Sequence, residues 1–114
     1  MEPREDILNA VARCDAEGSR AVLATVVRVR GSTPRSAGAS MLIGETGQTV
    51  GTIGGGCGEA DVLEAAEHVL RTARPTLVRV ELTDAIDSLS PAVCGGVMDV
   101  FVEPLPTPRG PLRP

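Results

Sequence analysis

Residues Gly51–Glu59 read Gly-Thr-Ile-Gly-Gly-Gly-Cys-Gly-Glu and join a strand-like run to a helix-like run. Glycine allows a backbone to approach a ligand closely or to adopt a positive φ. Because these glycines precede a predicted helix, the free N–H groups from Gly55 to Glu59 can surround a phosphate or an oxyanion. The alternative is that the glycines only form a tight turn, although three in succession are more than a turn requires.

The two predicted helices follow from apolar residues at helical spacing. The one after the glycines is predicted over residues 58–74, because Pro75 ends it. Its apolar stripe consists of Val62, Leu63, Ala66, Val69, Leu70 and Ala73. The first helix is predicted over residues 5–17 with Gly18 as its stop, and its stripe consists of Ile7, Leu8, Val11, Ala12 and Cys14.

The remaining periodic segments are rich in β-branched residues and predict strands. They cover residues 21–30, 39–43, 48–53, 76–82 and 97–103, and the second and third form a hairpin. The predicted fold class is therefore α+β: a small mixed or antiparallel β-sheet with two packed helices in a single domain. We expect this domain over residues 1–104 and a flexible, proline-rich tail over residues 105–114.

Composition excludes several classes of protein. The 114 residues include no Trp, no Tyr and one Phe, so the core must be built from aliphatic side chains. A net charge of −4 disfavours nucleic acid as a partner, since that requires a basic face. No apolar run is long enough to span a bilayer, and no signal peptide is expected behind the charged first residues. Three cysteines without scaffold spacing favour reduced thiols and a cytoplasmic location.

Two cysteines are flanked by glycines, and they are the candidate reactive groups. Cys57 lies where the positive end of a helix dipole favours a thiolate. Cys94 lies in the similar segment Val93–Val97, which reads Val-Cys-Gly-Gly-Val. The alternative for both is that of a small, buried apolar residue. Cys14 lies on the stripe of the first helix, and we interpret it as a core residue.

Other polar residues give weaker signals. Arg35, in the loop Gly31-Ser-Thr-Pro-Arg35, has the chemistry to clamp a phosphate or carboxylate, although this segment taken alone favours a plain surface loop. His68 is the single histidine, and one histidine is a poor basis for a metal site or a catalytic base. No nucleophile–base set or carboxylate pair is apparent, so we expect no catalytic residues.

Three motifs together resemble a known family. Gly31-Ser-Thr-Pro-Arg35, Gly51–Glu59 and Cys94-Gly-Gly96, in this order, are similar to the N-terminal domain of the XdhC/CoxI family. These proteins are accessory factors of xanthine dehydrogenase, carbon monoxide dehydrogenase and related molybdenum hydroxylases. The resemblance implies a non-catalytic carrier that binds molybdenum cofactor (molybdopterin) transiently, protects it during sulfuration and passes it to the apo-hydroxylase.

The resemblance also implies a set of cofactor-binding residues. Cys57 and Cys94 would be thiols on the molybdenum or sulfur side, Arg35 a clamp on the phosphate tail, and the glycines close backbone contacts. The set consists of Gly54, Gly55, Gly56, Cys57, Glu59, Arg35, Cys94, Gly95 and Gly96.

The implied partners are an apo-hydroxylase, a cysteine desulfurase and a separate chain carrying the Rossmann-like domain that many family members have. A homodimer is also expected, because a carrier gains by shielding a labile cofactor. Two other functions stay open. One is a thiol enzyme or redox switch in which Cys57 and Cys94 pair reversibly. The other is a structural or interaction domain whose glycines only make turns.

Overall fold

The computed structural model of the chain describes residues 3–31, 33, 36–53, 58–82 and 96–105. Its elements, in chain order, are α1 (Pro3–Glu17), β1 (Ala21–Arg30), β2 (Ser40–Gly44), β3 (Thr49–Gly51), α2 (Glu59–Thr72), β4 (Thr76–Glu81) and β5 (Val97–Leu105). The predicted helices and strands are all confirmed, with ends that differ by a few residues. Neither helix has the length and apolarity needed to cross a membrane.

The five strands form one sheet in the order β3-β2-β1-β5-β4. Every neighbouring pair is antiparallel, which confirms the predicted α+β class and selects the antiparallel form of the sheet. β1 is central and pairs with β2 on one side and with β5 on the other. The two strands with a free edge are therefore β3 and β4.

The two helices cover opposite faces of the sheet. Val22, Ala24 and Val26 of β1 belong to the larger core, under α2, whereas the alternate Ala21 and Leu23 pack with α1. This follows from the two-residue period of a strand, which directs successive side chains to opposite faces. The α1 cluster reaches β2, β3 and the start of β1, and α2 packs over β1, β4 and β5.

The helix stripes are narrower than predicted. On α2 the buried residues are Val62, Ala66 and Val69, while Leu63 is 41% exposed. On α1 the prediction for Leu8 was wrong, since this side chain is 60% exposed. A helix lying on a flat sheet buries only its central rows, so flanking apolar residues stay in solvent. Cys14 is half-buried and packs against the α1 cluster, as predicted for a core residue.

β5 extends two residues beyond its predicted end and includes Pro104 and Leu105, which pair with β1. Proline is tolerated in a strand where no ladder bond needs its missing N–H. Leu82 N–H donates to Gly96 C=O, so the even-numbered residues of β5 direct their N–H groups towards β4. β4 begins opposite Val102, so Pro104 lies beyond the last residue that β4 pairs with. The rest of the predicted tail, 106–114, lies outside the described residues.

A bulge at Val27 of β1 aligns three charged residues across the sheet. Pairing with β5 shifts by one residue between Val26 and Arg28, so Arg28 stands opposite Asp99. Arg79 of β4 stands opposite Asp99 on its other side. Asp99 is buried (7% exposed) and accepts a hydrogen bond from Arg79 Nε at 3.3 Å, and Arg28 Nε lies 3.8 Å from its other oxygen.

We predict that Asp99→Asn lowers the free energy of unfolding by about 1 kcal/mol, because it removes the charge shared by two half-exposed guanidinium groups. The chain lacks Trp and Tyr, so urea unfolding would be followed by circular dichroism. Glu103→Gln, on the same strand and the same face, is the matched control and should change stability by less than about 0.5 kcal/mol. Equal losses in both variants would contradict a specific role for this charge row.

Candidate functional site

The connections that carry the three predicted motifs begin and end at one end of the sheet. Because every strand pair is antiparallel, β1, β3 and β4 finish at the end where β2 and β5 begin. The connections 31–39, 52–58 and 82–96 therefore leave from this end, which we call the motif end. α2 also begins here, so the positive end of its dipole lies at the motif end.

Gly58 fixes the transition from the glycine-rich segment to α2. It is the N-cap of the helix, with φ of +75°, a conformation that residues with a Cβ adopt only at a cost. A Cβ at this position would lie 2.3 Å from Val80 Cγ1 and 3.2 Å from Leu82 Cδ2. The start of α2 is therefore packed directly on the last residues of β4, and only glycine permits that approach.

The ends of the second glycine–cysteine segment meet at the same place. Leu82 N–H donates to Gly96 C=O at 2.9 Å, which closes the long connection between β4 and β5. Both residues are buried. Leu82 also lies against Gly58, the last residue of the first glycine–cysteine segment. Leu82 therefore connects the end of the first segment with the two ends of the second.

A side-chain hydrogen bond spans the ends of the first segment. Thr52 Oγ1 donates to Glu59 Oε2 at 2.5 Å, joining the residue after β3 to the first residue of α2. Ile53, beside Thr52, is fully buried in the larger core. The carboxylate of Glu59 is thus engaged within the protein and positions the helix start.

The third motif follows β1 in the connection 31–39. Its later part is anchored to β1 by two backbone bonds: Val26 N–H donates to Ala39 C=O at 2.9 Å, and Gly38 N–H donates to Val26 C=O at 2.7 Å. Thr33 is half-buried. The loop therefore starts and finishes beside the strand that runs through the centre of the motif end.

Of the predicted cofactor-binding residues, Glu59 and Gly96 are described, and both lie at the motif end. The others lie outside the described residues: Gly54, Gly55, Gly56, Cys57, Arg35, Cys94 and Gly95. Within the described part of the chain, no three His, Cys, Asp or Glu side chains are grouped to hold a metal ion. The roles assigned to Cys57 and Cys94 stay predictions.

The sequence did not indicate that Thr52 bonds to Glu59, nor why position 58 requires glycine. A threonine seven residues before a helix-start glutamate gives no signal of its own, because the bond depends on how the segment turns. The glycine pattern did indicate an unusual backbone, but the contact with Val80 depends on the position of β4.

Comparisons with known proteins agree with the motifs. The sequence model of the XdhC and CoxI family matches residues 14–81. The chain is 40% identical over 86 residues to a Bacillus subtilis protein described as a probable subunit of xanthine dehydrogenase. It is 34% identical over 91 residues to the molybdenum cofactor insertion chaperone PaoD of Escherichia coli. These alignments cover 73% and 79% of this chain, and 26% and 28% of those proteins.

The fold is also found in a solved structure. The chain matches the crystal structure of a xanthine dehydrogenase from Bacillus halodurans with a TM-score of 0.75 and 35% sequence identity. The match covers 91% of this chain and 30% of that one. The chain thus spans between a quarter and a third of the length of each of these three proteins.

We predict that Gly58→Ala destabilises the protein more than an alanine at another glycine of positive φ. Gly47 is the matched control, because its φ is +97° and a Cβ there would meet nothing within 4 Å. Backbone strain, about 1–2 kcal/mol, is common to both variants. The contact with Val80 should cost Gly58→Ala a further ~1–3 kcal/mol.

Thermal and urea unfolding would measure this difference. Adding Val80→Ala to Gly58→Ala should recover part of the excess loss, which a double-mutant cycle would reveal. If the two glycine variants lost equal stability, the close packing of the helix start on β4 would be wrong.

Proposed function

The chain belongs to the XdhC and CoxI family, and we propose that it binds molybdenum cofactor as a cargo for the maturation of a molybdenum hydroxylase. In this proposal the chain is a carrier and not a catalyst. The names of two similar proteins, a molybdenum cofactor insertion chaperone and a probable xanthine dehydrogenase component, support this class of function.

The observation that carries the proposal is that the described ends of the two glycine–cysteine segments meet at the motif end. Chain connectivity puts Cys57 one residue before Gly58 and Cys94 two residues before Gly96. Gly58 and Gly96 are both neighbours of Leu82. One residue spans at most about 3.6 Å of chain, so the Cα atom of Cys57 lies within about 4 Å of that of Gly58, and the Cα atom of Cys94 within about 7 Å of that of Gly96. This is what a single site with two soft donors requires.

The chemistry of this end suits the two parts of the cargo. The N-terminus of α2 favours an anion, and the cofactor carries a phosphate or pyrophosphate tail. Thiolates are soft ligands that suit a sulfur-bound metal centre. We therefore assign the tail to the backbone of Gly54–Gly56 with Arg35 as a clamp, and the metal end to Cys57, Cys94 and the backbone of Gly95 and Gly96. Glu59 contributes by holding the helix start through Thr52.

The cofactor is bound transiently, receives its terminal sulfur from a cysteine desulfurase and is inserted into an apo-hydroxylase in the cytoplasm. The chain acts as a homodimer, which shields the cofactor from solvent.

A reversible disulfide is the second candidate function, and the same convergence favours it. A disulfide requires Cα atoms within about 7 Å, a separation that the tethers at Gly58 and Gly96 permit. A turn-forming role explains Gly58, whose contact with Val80 demands glycine, but it gives no reason for the three glycines before Cys57.

We predict stoichiometric binding of molybdenum cofactor under anaerobic, reducing conditions, lost in Cys57→Ser and in Cys94→Ser. Binding would be followed by the ultraviolet and visible spectrum and by metal analysis of the purified complex. Because the chain has no Trp or Tyr, strong absorbance belongs to the ligand. Cys14→Ser is the matched control, since Cys14 belongs to α1 and packs against the α1 cluster. Its C=O accepts a hydrogen bond from Ser19 N–H, just before β1 begins at the end of the sheet opposite the motif end.

Full binding by both site variants would exclude the thiols as ligands. Loss of one free thiol pair on mild oxidation, with no cofactor bound under reduction, would favour the redox switch instead.

A further inference from the structure

β4 has a long and regular outer edge, with which no strand pairs among the described residues. It lies at one end of the strand order, and its six residues, Thr76–Glu81, contain neither a proline nor a recorded bulge. The opposite edge, β3, has three residues. Exposed edges of this kind pair readily with another strand unless charges or bends prevent it.

The backbone groups on this edge can be assigned from the ladder. Leu82 N–H donates to Gly96 C=O, so the even-numbered residues of β4 direct their N–H and C=O groups towards β5. In an antiparallel ladder this direction alternates along a strand. Leu77, Arg79 and Glu81 therefore direct their N–H and C=O groups away from the sheet, where another strand can meet them.

The charges on the edge are opposite in sign and two residues apart. Arg79 and Glu81 project from the same face of the sheet, the face away from α2. Arg79 bonds to Asp99 and is about half exposed, whereas no ion pair of Glu81 is recorded within the described part of the chain. Edge charges of one sign would repel a second copy, but this pair is self-complementary.

We propose that a second copy of this chain pairs antiparallel with β4 and extends the sheet across a two-fold axis at Val80. In this register Arg79 of each copy stands opposite Glu81 of the other. The two residues exchange N–H···O=C bonds because both present their backbone to the free edge. On the other face, this register sets Val80 opposite Val80 and Val78 opposite Leu82.

The charges select this register over its neighbour. A two-fold axis perpendicular to the sheet keeps side chains on their own faces, so the register changes in steps of two residues. Moving the axis to Arg79 would set the two Arg79 guanidinium groups opposite each other, and like charges in that position are unfavourable. With the axis at Val80, the row Arg28–Asp99–Arg79 continues into Glu81 of the second copy with alternating sign.

This interface locates the homodimer of the proposed function, but it does not depend on cofactor binding. The experiment is analytical ultracentrifugation of the cofactor-free chain over a range of concentrations. We expect a monomer–dimer equilibrium in which Glu81→Arg raises the dissociation constant about 10- to 100-fold, because two attractive pairs become repulsive. Glu45→Arg, in the turn between β2 and β3 at the opposite side of the sheet, is the matched control and should dimerise like the unchanged chain.

Mixing two charge variants tests the strand register of the proposed dimer. Arg79→Glu and Glu81→Arg chains should each be weaker dimers alone, yet together they restore both opposite-charge pairs and should form a heterodimer. Circular dichroism would establish that each variant is folded, since Arg79→Glu also faces Asp99. A monomer at all concentrations, or a dimer that Glu81→Arg leaves unchanged, would overturn the proposal. Neither result would bear on cofactor binding, which the spectrum measures separately.

Discussion

The pairing of β1 with two antiparallel neighbours is the constraint on which the rest of the structure depends. It makes β1 the centre of the sheet and sends β2 and β5 back from the same end. The adjacent strands β3 and β4 then return to that end, so the three motif-bearing connections emerge together. Segments separated by up to some sixty residues become neighbours through strand direction alone. The alternation of β1 also separates the core beneath α2 from the smaller cluster beneath α1.

Most of the architecture could be predicted because its signals are local. The strand over residues 21–30 was predicted with its observed bounds, and Gly18 ends the first helix with a φ of +72°. The fold class followed from the order of the elements. The family followed from three motifs that occur in the order expected, and the sequence comparison confirms it.

The remainder could not be predicted because it depends on which strands become neighbours. Asp99 looks like an interruption in an apolar strand, and its role appears only when Arg28 and Arg79 stand on either side of it. The need for glycine at position 58 comes from Val80, twenty-two residues later. Leu8 and Leu63 carry the helical period but lie outside the contact area, which depends on how each helix sits on the sheet. The helical period identifies which face of a helix is apolar, but it does not determine how many residues of that face are buried.

β4 connects the two proposals made for this chain. Val80, near its end, contacts Gly58 at the start of α2, and Leu82, just after its end, closes the second segment. Its free edge carries the self-complementary charges. Pairing about Val80 would set the Gly58 contacts of two copies on either side of the axis, because Val80 is the residue that Gly58 touches. Because the paired strands run antiparallel, the two motif ends would point in opposite directions along the joined sheet. Each copy would then keep a separate cargo site, with its helix start resting on the strand that forms the interface.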